Sequence, residues 1–202
     1  MKRLFFVSRP QKESFALYPW ARVRSFLITV PSCVFLLLAM STCLCPGGQR
    51  GQPLQEGILN FGKINDNLYR GAQPDAAGMA NLKKLGVKTI INLRQPGKSW
   101  QAEVEQARAH GLVFTNIPLS GLGRPKEEDV RRILDAIEGL PSPVFIHCEH
   151  GCDRTGTIIA CYRIRNDKWS NDAALAEAEL YGISKLERGM RKFILSFGIA
   201  KK

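Results

Sequence analysis

The stretch from Val144 to Ile164 constrains the fold more than any other. Val144-Phe145-Ile146-His147 is a short apolar run set off by Pro141 and Pro143, and a helical pattern with Ile158, Ile159, Tyr162 and Ile164 follows it. Between the two lies Cys148-Glu149-His150-Gly151-Cys152-Asp153-Arg154-Thr155-Gly156. So short an apolar run is a buried strand, and a strand feeding a helix through a short loop belongs to an α/β unit in which the helix packs back on the sheet. The same connection aims the first N–H groups of the helix at one point, which makes a ready anion site.

The flanking sequence repeats that plan, so the pattern predicts an α/β domain with a mainly parallel central sheet flanked by helices. Strands are predicted near Phe61–Ile64, Leu68–Arg70, Lys88–Leu93 and Leu112–Ile117. Asp75 is a candidate cap for a helix that turns Met79, Leu82 and Leu85 inward and stops at Gly86. Ser99 opens a second helix with Trp100, Val104 and Ala107 on one face, ended by Gly111. A third carries Pro125 in its first turn, Glu127, Glu128 and Asp129 at its positive end, and Val130, Ile133, Leu134, Ile137 and Leu140 at helical spacing. Two more helices close the domain: one near Asp172–Tyr181, and one for which Ser184 and Glu187 predict a capping box, burying Leu186, Met190, Phe193, Ile194 and Phe197.

The formal charge of +11 does not point to nucleic acid, because it is unevenly held. Residues 1–50 carry seven basic side chains against Glu13, and residues 51–202 keep only +5. Residues 1–25 read as a basic tail. Residues 26–45, FLITVPSCVFLLLAMSTCLC, are uncharged and have the length of a transmembrane crossing. Six basic residues precede this run and only Arg50 follows closely, which predicts a domain on the non-cytoplasmic side, periplasmic or extracellular. The run after Pro31 also has the form of a signal peptide, so the segment is expected either to anchor the domain in the membrane or to be cleaved and release it. Cys43 and Cys45 are the acylation candidates of a lipoprotein alternative. Residues 46–57, rich in Gly and Pro, read as a linker to a single domain over residues 58–202.

A thiol at Cys148, set among N–H dipoles at a helix N-terminus, is favoured as the thiolate and becomes a nucleophile at neutral pH. Arg154 can hold two phosphate oxygens at once with its planar fork. Gly151 lets the chain bend close to the anion, Gly156 lets the helix start tightly, and the Thr155 hydroxyl is placed to hydrogen-bond the sulfur. The pattern His147-Cys148, five residues, then Arg154-Thr155-Gly156 resembles the signature loop of the cysteine-dependent protein tyrosine and dual-specificity phosphatases. Asn67-Leu68-Tyr69-Arg70-Gly71-Ala72-Gln73-Pro74 and Ile90-Ile91-Asn92-Leu93-Arg94 are similar to the opening strands of their compact atypical members, so the resemblance covers about residues 58–197. It implies a phosphotyrosine phosphatase-like fold and phosphoryl transfer to Cys148 followed by hydrolysis, with no metal or other cofactor. It also implies phosphate binding by Glu149, His150, Gly151, Cys152, Thr155 and Gly156, and a His147 that hydrogen-bonds the backbone around the cysteine.

One part of that pattern is absent. Those enzymes take a general acid from an Asp on a loop before the cysteine, and the corresponding stretch here, Pro118-Leu119-Ser120-Gly121-Leu122-Gly123-Arg124, holds no carboxylate. Asp153 is the candidate replacement, against a role in orienting Arg154 or the loop amides, while Glu127, Glu128 and Asp129 read as helix charges. A leaving group of low pKa, such as a phosphoanhydride, needs less acid help. The substrate is therefore some phosphorylated protein, lipid or inositol phosphate. Cys152 either forms a reversible disulfide with Cys148 or points outward as an ordinary loop residue, and Cys161 reads as a buried small hydrophobe. Arg94 and Arg124 either approach the mouth of the site or are plain surface charge. Two other classes compete: a metal site from His147, Cys148, His150 and Cys152, opposed by the lack of a second ligand cluster, and a membrane-tethered pseudophosphatase that binds phosphorylated partners without turnover.

Overall fold

The computed structural model describes residues 55–198. The basic tail, the 26–45 run and most of the linker lie outside the described residues. Among the described residues no helix is long and apolar enough to cross a membrane.

Five strands form one sheet in the order β1-β2-β5-β3-β4. Their spans are β1 Gly62–Asn65, β2 Leu68–Gly71, β3 Thr89–Asn92, β4 Val113–Asn116 and β5 Val144–His147. Only the edge strand β1 runs antiparallel, against β2; the other pairings are parallel, as the alternation of strands and helices predicts. Six helices cover the sheet: α1 Ala76–Lys84, α2 Lys98–Ala109, α3 Glu127–Gly139, α4 Asp153–Arg165, α5 Asn171–Leu180 and α6 Arg188–Ser196. The central strand β5 is buried along its whole length, so its side chains serve both faces. Val144 and Ile146 join Ile133 and Leu134 of α3, Ile158 of α4 and Phe193 of α6 on one side. Phe145 joins Met79 and Leu82 of α1 and Ala107 of α2 on the other. Burial of each such side chain contributes about 1.5–3 kcal/mol.

Local signals set several helix boundaries. The Asp75 carboxylate accepts from the Gly78 N–H at 2.9 Å and caps α1, and Gly86 leaves that helix with φ +81°. Ser170 caps α5 by accepting from the Ala173 N–H at 3.2 Å. Three expectations are corrected. Helix α2 starts at Lys98 behind Gly97, ahead of Ser99, and its fully buried positions are Glu103 and Ala107. Helix α3 has Lys126 at its cap, so Pro125 precedes the first turn instead of occupying it. The Ser184–Glu187 capping box does not form: Glu187 itself is the cap of α6, and Leu186 is 86% exposed. The reason is local, since the Ser184 N–H is held by the Asp153 carboxylate at 2.7 Å and Ser184 Oγ accepts from the Leu186 N–H at 3.1 Å. Those bonds fix a turn where a helix would otherwise begin.

In register, Arg70 lies opposite Ile146 and Gly71 opposite His147 on one side of β5, and Ile91 lies opposite Ile146 and Asn92 opposite His147 on the other. The carboxyl ends of three parallel strands thus finish together, and the loop beginning at Cys148 leaves from the middle of that row. In open parallel sheets this is where ligands bind.

Candidate active site

The loop from Cys148 to Arg154 has its carbonyl groups occupied from outside. The carbonyl of Cys148 faces His147 Nδ1 at 3.0 Å, and that of Glu149 accepts from the Gln73 N–H at 3.3 Å. The carbonyl of His150 accepts from Asn60 Nδ2 at 3.4 Å, and that of Gly151 accepts from the Arg70 guanidinium. With four successive carbonyls directed outward, the amides turn inward. Among the described residues the N–H groups of Glu149, His150, Gly151, Asp153 and Arg154 donate to no backbone acceptor. They stand at the start of α4, whose dipole adds to their attraction for an anion.

Gly151 makes this turn possible. Its φ is +72°, and a Cβ there would lie 2.5 Å from the carbonyl carbon of Gly71. Only glycine permits both the left-handed backbone and the approach of loop to strand. At Gly156 an added Cβ would meet Ala178 at 3.6 Å, an ordinary contact, so the tight helix start predicted for this glycine is not required by packing.

Cys148 is a free thiol and buried, so the Cys148–Cys152 bridge is not formed in this structure. Cys152 caps α4 and is buried, with its sulfur 3.4 Å from Asn60 Nδ2. Cys161 is also free and fully buried, and burial pushes its thiol well above the ordinary range, as a small core residue requires. Arg154 is half-buried and makes no hydrogen bond or ion pair with another described residue; its guanidinium carbon would lie 3.9 Å from a Cβ on Gly121. The Pro118–Arg124 loop therefore passes Arg154 at Gly121, which has no side chain to offer it. The Thr155 hydroxyl is buried and has no hydrogen-bond partner among the described residues, so the predicted contact with sulfur is not made.

The predicted carboxylates are placed as follows. Asp153 accepts the Ser184 N–H, tying the start of α4 to the turn before α6. Glu127, Glu128 and Asp129 stand in the first turn of α3; Glu127 pairs with Arg131 at 2.7 Å and Asp129 with Arg132 at 3.0 Å. Glu149 stands 3.6 Å from Arg94, which also donates to the Gln73 side chain, so Arg94 belongs to the rim of the loop. Arg124 reaches Ser196 at 2.9 Å and lies over the Phe193 ring, away from the thiol.

Three contributors lie outside the signature loop, and one of them, Arg70, stands within the Asn67–Pro74 segment that resembles the family's opening strands. Glu103 of α2 is buried with Oε1 2.7 Å from His147 Nε2, and its Oε2 accepts from Asn92 Nδ2 at 2.8 Å. The His147 ring thus stands between the Cys148 carbonyl on its Nδ1 side and the Glu103 carboxylate on its Nε2 side. Glu103 sits on the stripe that contains Trp100 and Ala107, and a charged residue on an apolar stripe was its one available signal. Asn60 and Arg70 come from the strand-and-turn segment before α1 and are brought to the loop only by sheet pairing. Among the described residues no group of three or more His, Cys, Asp or Glu is gathered where it could hold a metal ion.

Comparison with known proteins agrees with this architecture. A family model described as a DSP-PTPase phosphatase fused to NAD+ kinase matches residues 56–194. The chain is 31% identical over 127 residues to the dual specificity protein phosphatase TpbA of Pseudomonas aeruginosa strain UCBPP-PA14, covering 61% of this chain and 55% of that protein. It thus spans little more than half the length of that relative. It is 26% identical over 155 residues to the inositol diphosphatase DSP1 of Oryza sativa subsp. japonica, covering 74% of this chain and 69% of the relative. The crystal structure of P. aeruginosa TpbA superposes with a TM-score of 0.61 at 28% identity, covering 71% of this chain and 87% of that one. The catalytic core of the PP-IP phosphatase SIW14 from S. cerevisiae superposes with a TM-score of 0.62 at 23% identity, covering 68% and 85%, a likeness of fold.

Proposed function

The chain belongs to the DSP-PTPase phosphatase family whose model is described as fused to NAD+ kinase, and from that premise we propose that it removes a phosphoryl group from a phosphorylated substrate through Cys148. The observation that carries this reading is a free thiol at the mouth of a loop whose carbonyls are bound outward and whose amides are unclaimed. The substrate phosphate sits on those amides with Arg154 across two of its oxygens. The Cys148 thiolate attacks phosphorus, the S–P bond forms, and the P–O bond to the leaving group breaks with its electron pair going to that oxygen. Water then attacks phosphorus, the S–P bond breaks, and inorganic phosphate leaves.

The leaving oxygen needs a proton in proportion to its basicity. The loop that passes Arg154 offers none, and Asp153, held on the Ser184 amide, serves to position α4. We therefore read the substrate as one with a weakly basic leaving group, a phosphoanhydride of the inositol diphosphate kind or an aryl phosphate such as phosphotyrosine, in preference to phosphoserine. That two relatives are named an inositol diphosphatase and a dual specificity protein phosphatase supports the same pair. A leaving-group series tests it: kcat/KM is expected to fall at least ~100-fold from an acidic aryl phosphate to an alkyl phosphate. Equal rates across the series would overturn it, and anion binding with no turnover of any member would indicate a binding module.

We also read residues 26–45 as a membrane anchor or cleaved signal, with the catalytic domain on the non-cytoplasmic side. The supporting observation is the six basic residues before the run against Arg50 after it. Protection of the domain from added protease in spheroplasts, which expose the outer face of the inner membrane, with digestion once they are lysed, would contradict it.

A further inference from the structure

We propose that Arg70 is the buried counter-cation of the Cys148 thiolate, a positioning residue that balances the nucleophile's charge from beneath the loop and leaves Arg154 free for the substrate. This rests on reading Cys148 as the nucleophile. Arg70 stands in β2 and heads the large side chains that are fully buried. Its guanidinium donates once, to the Gly151 carbonyl, and lies on the Tyr181 ring with its carbon 3.8 Å from the centroid. Nε and Nη1 are buried with no hydrogen-bond partner, and no carboxylate among the described residues is in ion-pair contact with it. A buried charge so placed is costly unless an opposite charge faces it.

The candidates for that opposite charge are few. Arg70 lies opposite Ile146, two residues before Cys148, and holds the Gly151 carbonyl three residues after it, so it stands against the loop that carries the thiol; the other titratable or charged groups acting on it are Tyr181 at the end of α5, Glu177 of α5 and Arg163 of α4. Glu177 is already engaged, since its two oxygens accept from Nε and Nη2 of Arg163 at 3.0 and 2.9 Å. Tyr181 presents its ring face. Cys148 is the remaining group that carries negative charge when it is ready to react. Burial lowers the Arg70 pKa to about 10, still well above neutrality, so the cation persists where the enzyme works. Cys161 supplies the contrast: it is an equally buried thiol on which only burial acts, and it is pushed toward the neutral form.

A tether to the Gly151 carbonyl alone would make Arg70 structural, so the test separates charge from hydrogen bond. The full chain and its Arg70→Lys and Arg70→Gln variants are treated with iodoacetamide at pH 6, a reaction in which the thiolate forms an S–C bond and iodide leaves. Carboxamidomethylation of the Cys148 peptide is followed by mass spectrometry. Arg70→Gln is expected to slow it about tenfold, with Arg70→Lys within about threefold of wild type, the scale of one buried charge interaction. For an aryl phosphate, kcat falls in parallel while KM stays within about threefold. A folded Arg70→Gln that alkylates like wild type overturns the proposal, as does an Arg70→Lys as slow as Arg70→Gln. Should neither variant fold, wild type decides it: a buried counter-charge is little screened, so raising the salt from about 0.05 to about 1 M should change the Cys148 rate less than twofold, and a tenfold loss overturns the proposal. Alkylation requires no substrate, so a Cys148 that alkylates fast in a protein that hydrolyses nothing would count against the phosphatase reading and leave Arg70's role standing.

Discussion

The loop from Cys148 to Arg154 is gripped from outside at four successive carbonyls, whereas the loop from Pro118 to Arg124, which passes the same arginine, carries no ionisable group until Arg124. The second loop is tied by the Leu119 N–H to the Leu93 carbonyl at 3.1 Å and by the Gly123 N–H to Glu187 at 3.2 Å, and it leaves Leu122 exposed between them. The difference says where catalysis is invested. On the proposed reading the loop amides and Arg154 recognise the phosphate and the charge that builds on it, while the facing loop offers no carboxylate to donate a proton to what departs. Such a site discriminates by leaving group more than by shape.

The sharpest way to break the comparison is to make the same substitution in both loops. Gly151→Ala forces a Cβ against Gly71 and strains a left-handed backbone, so activity is expected to fall at least ~100-fold, with a stability loss of about 2–4 kcal/mol by chemical denaturation. Gly123 has a similar φ of +77° but nothing within 4 Å of the added carbon. Gly123→Ala should therefore cost only about 1 kcal/mol and less than tenfold in kcat. Equal losses in the two would mean that the tight approach at Gly151 is not what shapes the anion site.

Next in size is Glu103→Ala, which leaves His147 facing a buried gap. It should cost about 1–3 kcal/mol in stability, the scale of leaving the Asn92 amide and the His147 ring buried without their partner, and loosen the Cys148 carbonyl. A loss below about 1 kcal/mol would detach Glu103 from the site. Its role shows what the sequence made legible and what it did not. The strand at Val144–His147, the loop after it and the amphipathic face of α3 were all readable, because each rests on local periodicity or on contiguous residues. Glu103 and Asn60 were not, and Arg70 was legible only as part of the Asn67–Pro74 resemblance and without a role, because packing of distant parts of the chain brings all three to one loop. The failed capping box has a similar cause: Ser184 and Glu187 have the right spacing, but a carboxylate from α4, 31 residues earlier, takes the Ser184 amide.

Asp153→Asn is a smaller test of the same contrast. If the carboxylate orients the turn, as its bond to Ser184 indicates, the variant loses about 1 kcal/mol and keeps kcat within tenfold with the basic limb of the pH profile unmoved. Loss of that limb would make Asp153 the proton donor the other loop lacks. The smallest expected effect lies far from the site. Hydrogen bonds from Asn166 and Arg165 hold the Glu138 carboxyl below its usual value, so its contribution is present above the ordinary carboxylate range and lost as pH falls through that lowered value. Glu138→Ala should cost about 0.2–1 kcal/mol near pH 7, progressively less as the carboxyl protonates in acid, and leave activity unchanged.

The central claim is that Cys148 carries the phosphoryl group between the two steps. Mixing wild-type enzyme with a substrate radiolabelled in that group and quenching in acid within one turnover should leave label on the peptide containing residue 148, and none in Cys148→Ser. Turnover with no labelled enzyme, or label on any other residue, would contradict it.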